Sequence, residues 1–244
     1  MVSSKEYARQ QRGLGEANSS PSPYGNPLTQ QKLLDDFISS HKSQFSYSHL
    51  IAGGAPRNWI VGKVANDIDI FFLDYREDSL IQSLQSGNFT KMKGSKEKKK
   101  NKLKKLKRKS AFLDGLAPAA ETAENYIGVG VDGEFRLIKS IWNKTWDDIE
   151  VQFIILNYEN CVNAGIESLQ EFVEKTFDFN ICKIWYEANS KSIIPSESAM
   201  QDFESKTLTV SIGDMIKYQR LTTLAKRSAK LQSYFPNHKI NIVP

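Results

Sequence analysis

Residues 51–73 read IAGGAPRNWIVGKVANDIDIFFL, and the order of residue types within them decides the fold. A short apolar run, Leu50 to Ala52, meets a Gly53-Gly54 turn. A helical piece of one to two turns follows, opening with Pro56, and then a strongly apolar strand carries Asp67 and Asp69. Successive strand residues point to opposite faces, so Asp67 and Asp69 share one face while Ile68, Ile70 and Phe72 take the other. Two carboxylates roughly 6–7 Å apart on one strand repel each other unless a cation lies between them. Hard divalent cations seek oxygen ligands, and Mg²⁺ takes one or two carboxylates together with substrate phosphates. An Asp-x-Asp pair alone is common on strands whose polar face meets water. Here the glycines ahead of it let a ligand approach the backbone, and a Gly-rich turn entering a helix presents N–H groups to anions. Arg57 lies four residues after Gly53. Together these point to metal-dependent phosphate chemistry.

The chain of 244 residues is 40% apolar, enough for one large domain or two small ones. No apolar run is long enough to span a bilayer, and the first residues lack the apolar core of a signal peptide. Cys161 and Cys182 sit in apolar surroundings as core thiols, and three scattered histidines give no zinc pattern. The expectation is an intracellular, cytoplasmic protein. The net charge of +5 is uneven: Lys91–Lys109 holds 12 Lys and Arg against one acid, Glu97, which leaves 21 basic and 27 acidic groups elsewhere. Such a block repels itself when unpartnered. It reads either as an arm for nucleic-acid phosphates or as a solubilising loop.

Around these features the chain divides into three. Residues 1–27 are polar and rich in Ser, Gly, Pro and Asn, a disordered lead. Residues 28–194 hold the sheet, with Lys91–Lys109 inserted in it, and residues 195–244 form a small helical C-terminal part. Leu33, Leu34, Phe37 and Ile38 repeat at helical spacing, Asp78 to Ser86 forms a second helix, and Val131-Asp132-Gly133-Glu134 is a hairpin signal. Phe135 to Trp142 and Ile149 to Leu156 read as strands, and on the latter Glu150 and Gln152 share a face. Phe177, Phe179, Ile181 and Ile184 read as a core strand with Asp178 at its exposed edge. The last helix spans about Ile212 to Ser233, its apolar residues interleaved with Lys217, Arg220, Lys226, Arg227 and Lys230.

The quoted stretch resembles the signature of the DNA polymerase beta-type nucleotidyltransferase superfamily. It is similar above all to the head domains of tRNA CCA-adding enzymes and poly(A) polymerases, G-G-x-x-R-D followed by D-x-D, at Gly53, Gly54, Arg57, Asp67 and Asp69, with Asn58 where those enzymes carry Asp. Phe177 to Tyr186 is similar to a later strand of the same head domains, and small phage-encoded members carry comparable segments. The resemblance covers roughly residues 28–187. It implies an α/β (α+β) fold, a mixed and mostly antiparallel palm sheet with flanking helices. It also implies transfer of a nucleoside monophosphate from an NTP to an acceptor hydroxyl with release of pyrophosphate. Mg²⁺ (or Mn²⁺) would be held by Asp67, Asp69 and a third carboxylate, Glu150 first and Asp178 second. Gly53, Gly54, Arg57 and Lys63, with Lys217 and Arg220 on the last helix, would contact the nucleotide. Partners would be an NTP and, through Lys91–Lys109, nucleic acid, with RNA or tRNA favoured. Two alternatives stay open: a catalytically inactive relative that binds nucleic acid or protein, and a toxin-like enzyme that modifies a protein side chain.

Overall fold

The computed structural model describes residues 26–92, 137–213 and 224–244. Among them a seven-stranded sheet has the order β3-β4-β5-β2-β1-β6-β7. Its strands are β1 (His49–Ala52), β2 (Asp67–Phe72), β3 (Thr90–Lys91), β4 (Ile138–Trp146), β5 (Ile149–Leu156), β6 (Ile184–Glu187) and β7 (Ser192–Pro195). Every pairing is antiparallel except β2 with β5, which is the mixed α/β sheet expected. Among the described residues no helix is long and apolar enough to cross a membrane.

One face of the sheet is apolar along its length. Ile68, Ile70 and Phe72 of β2 join Val151, Phe153 and Ile155 of β5 beneath three helices: α1 (Pro27–Ser40), α2 (Gly54–Ile60) and α3 (Glu77–Ser86). α1 supplies Leu34 and Phe37, α2 Ala55 and Trp59, and α3 Leu80 and Leu84. The opposite face is divided. Phe71 and Ile154 pack against α4 (Tyr158–Asn163) and α5 (Leu169–Thr176) through Cys161, Phe172 and Val173, while the residues before them on the same strands are polar.

α1 begins at Pro27, the last residue of the expected lead. Pro27 fills its first position and the Asn26 side chain accepts from Thr29 N–H, satisfying a donor that the helix start leaves open. From α1, the fully buried Gln30 fixes the loop that leads into Asp67. Its Nε2 donates to Ala65 C=O at 2.7 Å, and its Oε1 accepts from Ala65 N–H and Trp59 Nε1, both at 2.8 Å.

The expected strand through Phe177–Tyr186 is split. Phe179 makes an isolated bridge to Val210, Asn180–Cys182 turns as a 3₁₀ helix, and only Ile184–Glu187 joins the main sheet. The strand expected from Phe135 is displaced too, being described from Ile138 to Trp146. The C-terminal part is not helical alone. α6 (Glu197–Ser205) and α7 (Leu224–Tyr234) accompany a parallel pair, β8 (Thr207–Ser211) with β9 (Lys239–Val243). Leu208, Val210, Leu231 and Phe235 close a core with Phe179, Ile181 and Cys182, so this part is built against the Phe177–Cys182 segment. Residues 93–109 of the basic tract, the Val131–Glu134 hairpin, and Lys217 and Arg220 lie outside the described residues. The tract's flanks are described: Met92 N–H donates to Ile141 C=O beside β3, and Leu137 precedes β4. Residues 93–136 therefore link two antiparallel neighbours at the sheet edge.

Candidate active site

β2 and β5 run parallel in a register that sets Asp67 beside Glu150 and Asp69 beside Gln152. All four share the divided face, because residues paired in register on neighbouring strands point the same way. Two rows of polar side chains thus lie where the face is not covered by α4 and α5. On β4, Asn143 pairs in register with Gln152 and extends the upper row. Its Nδ2 donates to Glu150 Oε1 at 3.1 Å, and Gln152 Nε2 lies 3.4 Å from the same oxygen.

Asp67 and Asp69 open onto a cavity of about 140 Å³ lined by Gly53, Gly54, Arg57, Asn58, Phe177 and Cys182, with Arg227, Lys230 and Tyr234 of α7 on its far side. Gly53 is required by the backbone. Its φ of +88° is costly for a residue with a Cβ, and a Cβ there would stand 3.1 Å from the Phe177 ring. At Gly54 the nearest side-chain atom to such a Cβ is Arg57 Nη2 at 3.9 Å, so this position leaves the cavity floor open.

Burial pushes the Asp67 carboxyl above its ordinary range. Lys230 and Arg57 pull it down, and the like charge of Glu150 pushes it up again. An acid in that position gains when a cation joins it. Among the described residues no three His, Cys, Asp or Glu side chains converge tightly enough to form a metal cage on their own. Mg²⁺ does not require one, because it keeps waters and takes oxygens from substrate phosphates. Two aspartates two residues apart on a strand and a third acid in register are an oxygen donor set that fits such an ion.

Arg57 is buried at 8% exposure. Its Nε and Nη2 donate to Asn58 Oδ1 at 3.2 and 2.9 Å, its Nη1 reaches Cys182 Sγ at 3.3 Å, and its guanidinium lies 5.2 Å from the Tyr234 ring centre. Asn58 therefore holds Arg57 as an aspartate could, and its Nδ2 also donates to Val64 C=O. Being neutral, it leaves the guanidinium charge uncancelled beside the cavity. Lys63 stands at the rim. Its Nζ donates to Tyr234 C=O at 3.3 Å and lies over the Tyr234 ring, outside the cavity lining.

Asp178 is neither an exposed edge residue nor open to the cavity. It is 2% exposed, accepts from Phe179 N–H, and is held by Arg227 through Nη2 at 2.7 Å and Nε at 2.6 Å. This buried fork anchors α7 to the Phe177–Cys182 segment and so sets the wall that carries Lys230. Neither Arg227 nor Lys230 is among the site residues expected from the sequence. Arg227, Lys230, Leu231 and Tyr234 recur at helical spacing, and that one-sided pattern was the available signal.

No family model and no curated protein matches the chain. Among solved structures it is similar to a tRNA-processing enzyme in an apo form, at 12% identity over 87% of this chain and 44% of that one, with a TM-score of 0.49. It is similar also to the Thermotoga maritima CCA-adding enzyme complexed with tRNA, at 10% identity over 86% and 38% with a TM-score of 0.48. The Bacillus stearothermophilus CCA-adding enzyme in complex with CTP gives 13% identity over 90% and 41% with a TM-score of 0.47. The chain spans less than half the length of these proteins.

Proposed function

We propose that this protein is a Mg²⁺-dependent nucleotidyltransferase that moves a nucleoside monophosphate from an NTP to a hydroxyl of a nucleic acid, RNA or tRNA before DNA, and releases pyrophosphate. The observation that carries this reading is the alignment of Asp67, Asp69 and Glu150 on one uncovered patch of sheet. Asp67 and Asp69 of that patch line a cavity whose other walls include a glycine turn and the cations Arg57, Arg227 and Lys230. Asp67 and Asp69 would hold the metal, with Glu150 as the third carboxylate. Asp178, committed to Arg227, does not compete for that role. The ion, when bound, supplies charge neutralisation for the phosphates and a lowered pKa for the acceptor hydroxyl.

The protein's own groups do the rest. Gly53 and Gly54 leave the cavity floor low enough for a triphosphate to lie against it, and Arg57, with Lys230 as the described counterpart of Lys217 and Arg220, meets its negative charge. Tyr234 and the Arg227–Asp178 fork hold those cations in place. Catalysis of this kind is positioning plus electrostatic stabilisation. Lys91–Lys109 adds a sequence-independent attraction for a polyanionic acceptor, which a small-molecule acceptor would not need.

The absence of a ready three-acid cluster among the described residues, together with the amide at Gln152, favours a second reading, a non-catalytic relative that binds nucleic acid or protein. One experiment separates them. The protein is incubated with each labelled NTP, Mg²⁺ or Mn²⁺, and total RNA, DNA and protein. Label in RNA that disappears in Asp67→Asn supports the proposal, label in protein supports the toxin-like alternative, and no label in any fraction supports the non-catalytic reading.

A further inference from the structure

Among the described residues two glutamines, Gln30 and Gln152, are fully buried, and they are used differently. Gln30 has partners for both ends of its amide. Gln152 is 0% exposed, its Nε2 has only the long contact with Glu150, and its Oε1 has no hydrogen-bond partner among the described residues. A buried carbonyl oxygen left bare costs stability, and a leucine or methionine would fill the same space without that cost. The amide is placed among acids: in register beside Asp69, with Glu150 two residues before it on the same face. A glutamate here would add a fourth like charge to Asp67, Asp69 and Glu150. The amide offers an oxygen acceptor with no charge.

Mg²⁺ retains several of its waters when bound by one or two carboxylates, and water polarised by the ion is a strong donor. We infer that Gln152 Oε1 accepts a hydrogen bond from a water of the divalent cation held at Asp67 and Asp69, so that Gln152 is a positioning residue for the metal. This rests on the metal-dependent reading proposed above. Outer partners of this kind set metal affinity by about 10–100-fold.

The test measures Mn²⁺ binding by the electron paramagnetic resonance signal of the free ion, with a non-hydrolysable NTP present, and the melting temperature of each metal-free variant. Gln152→Met keeps the volume and removes the oxygen. It should weaken Mn²⁺ binding by about 10–100-fold while the metal-free protein melts no lower than the parent. Gln152→Glu restores an acceptor and adds a charge. It should bind Mn²⁺ at least as tightly as the parent and melt lower without metal. A Gln152→Met protein that binds Mn²⁺ like the parent overturns the inference, as does a Gln152→Glu protein that loses binding as fully as Gln152→Met. A parent that binds no Mn²⁺ with the nucleotide, or an Asp67→Asn variant that binds it normally, overturns instead the metal reading on which the inference rests.

Discussion

β2 carries acids at both ends, and the fold treats them in opposite ways. Asp74, two residues beyond the strand, is saturated: Arg76 gives it its backbone N–H, Nε and Nη2, and Ser48 N–H lies at 3.4 Å. These donors hold its carboxyl well below the usual range, at about 2. Asp67, the first residue of the strand, is pushed upward by burial and by Glu150. The face between them changes with the same polarity. Phe71 and Ile154 lie under α5, whereas Asp67, Asp69, Glu150 and Gln152 lie beyond its cover. An acid that the fold uses for itself is supplied with donors. On the proposed reading, the raised acid is the one kept for a cation, and the difference is visible within eight residues, Asp67 to Asp74.

The sharpest way to break this contrast is to remove the charge at the cavity end of β2. Asp67→Asn or Asp69→Asn should reduce nucleotide transfer by the equivalent of about 2.7–4 kcal/mol of transition-state stabilisation. Neither should lower the melting temperature of the metal-free protein, because each lessens like-charge crowding rather than packing. Transfer rates and thermal melts of the two variants check this. A melting temperature that falls by several degrees in both would mean that the aspartates serve the fold as Asp74 does.

The border between the two halves of the face is Phe177. Its ring lies 5.8 Å from that of Phe71 and 6.5 Å from that of Phe172, and it also lines the cavity beside Gly53. Phe177→Ala should cost about 2–3 kcal/mol in denaturant unfolding, below the loss at a wholly enclosed phenylalanine because one side of the ring meets the cavity. The same variant should raise KM for the NTP, since the ring backs the Gly53 turn. A stability loss with KM unchanged would place Phe177 in the core alone.

Much of this was legible in the sequence because it is local. The Gly53 turn, the acidic strand and its two faces follow from residue types over 23 consecutive positions, Ile51 to Leu73. The placing of Glu150 against Asp67 was not legible from spacing. The two are joined by a parallel pairing of distant segments, and alternation on β5 says only that Glu150 and Gln152 share a face. α7 is a similar case. Its basic residues are interleaved with apolar ones along the sequence, and only the buried Asp178 of another segment fixes which side turns inward. β9 was missed although Ile240 and Ile242 alternate, because its partner, β8, is a short strand far from it in the chain. Asp178 misled for a related reason, since alternation cannot tell a solvent-facing acid from one met by an arginine of another element.

The satisfied end gives a smaller effect with a distinct pH signature. Asp74 is held below its ordinary value of 3.8, at about 2. The stability it contributes is therefore complete above about pH 4 and is lost as pH falls toward 2. Arg76 is half exposed, with 45% of its side chain accessible, so screening reduces the gain. Asp74→Asn should cost about 1 kcal/mol at neutral pH, and the difference from the parent should be small at pH 2, where the folded carboxyl is about half protonated. Urea titrations at the two pH values decide it. Asp67 runs the other way, since a carboxyl raised by burial destabilises the metal-free fold as pH rises through its range.

The smallest effect on the fold is expected from deleting residues 93–109 of the basic tract, which should leave both ends of β2 as they are. Residues 93–136 link β3 to β4, antiparallel neighbours at the sheet edge, and the described flanks keep their own pairing: Thr90 with Asn143, Lys91 with Trp142, and Met92 N–H with Ile141 C=O. A deletion of 93–109 spares those residues and the whole Asp67–Glu150 register. Nucleic-acid binding should change instead. The tract holds no aromatic residue to stack bases, so it should engage phosphates without reading sequence. Binding by the parent should fall with salt at about 0.7 log units per phosphate contact on a single strand. Without residues 93–109 the slope should flatten, while NTP binding at the site changes little. The deletion variant, with 22 basic and 27 acidic groups, carries a charge that repels polyanions. A deletion variant that binds RNA as tightly as the parent, with the same salt slope, would move the acceptor surface onto the sheet itself and leave the tract without a part in binding.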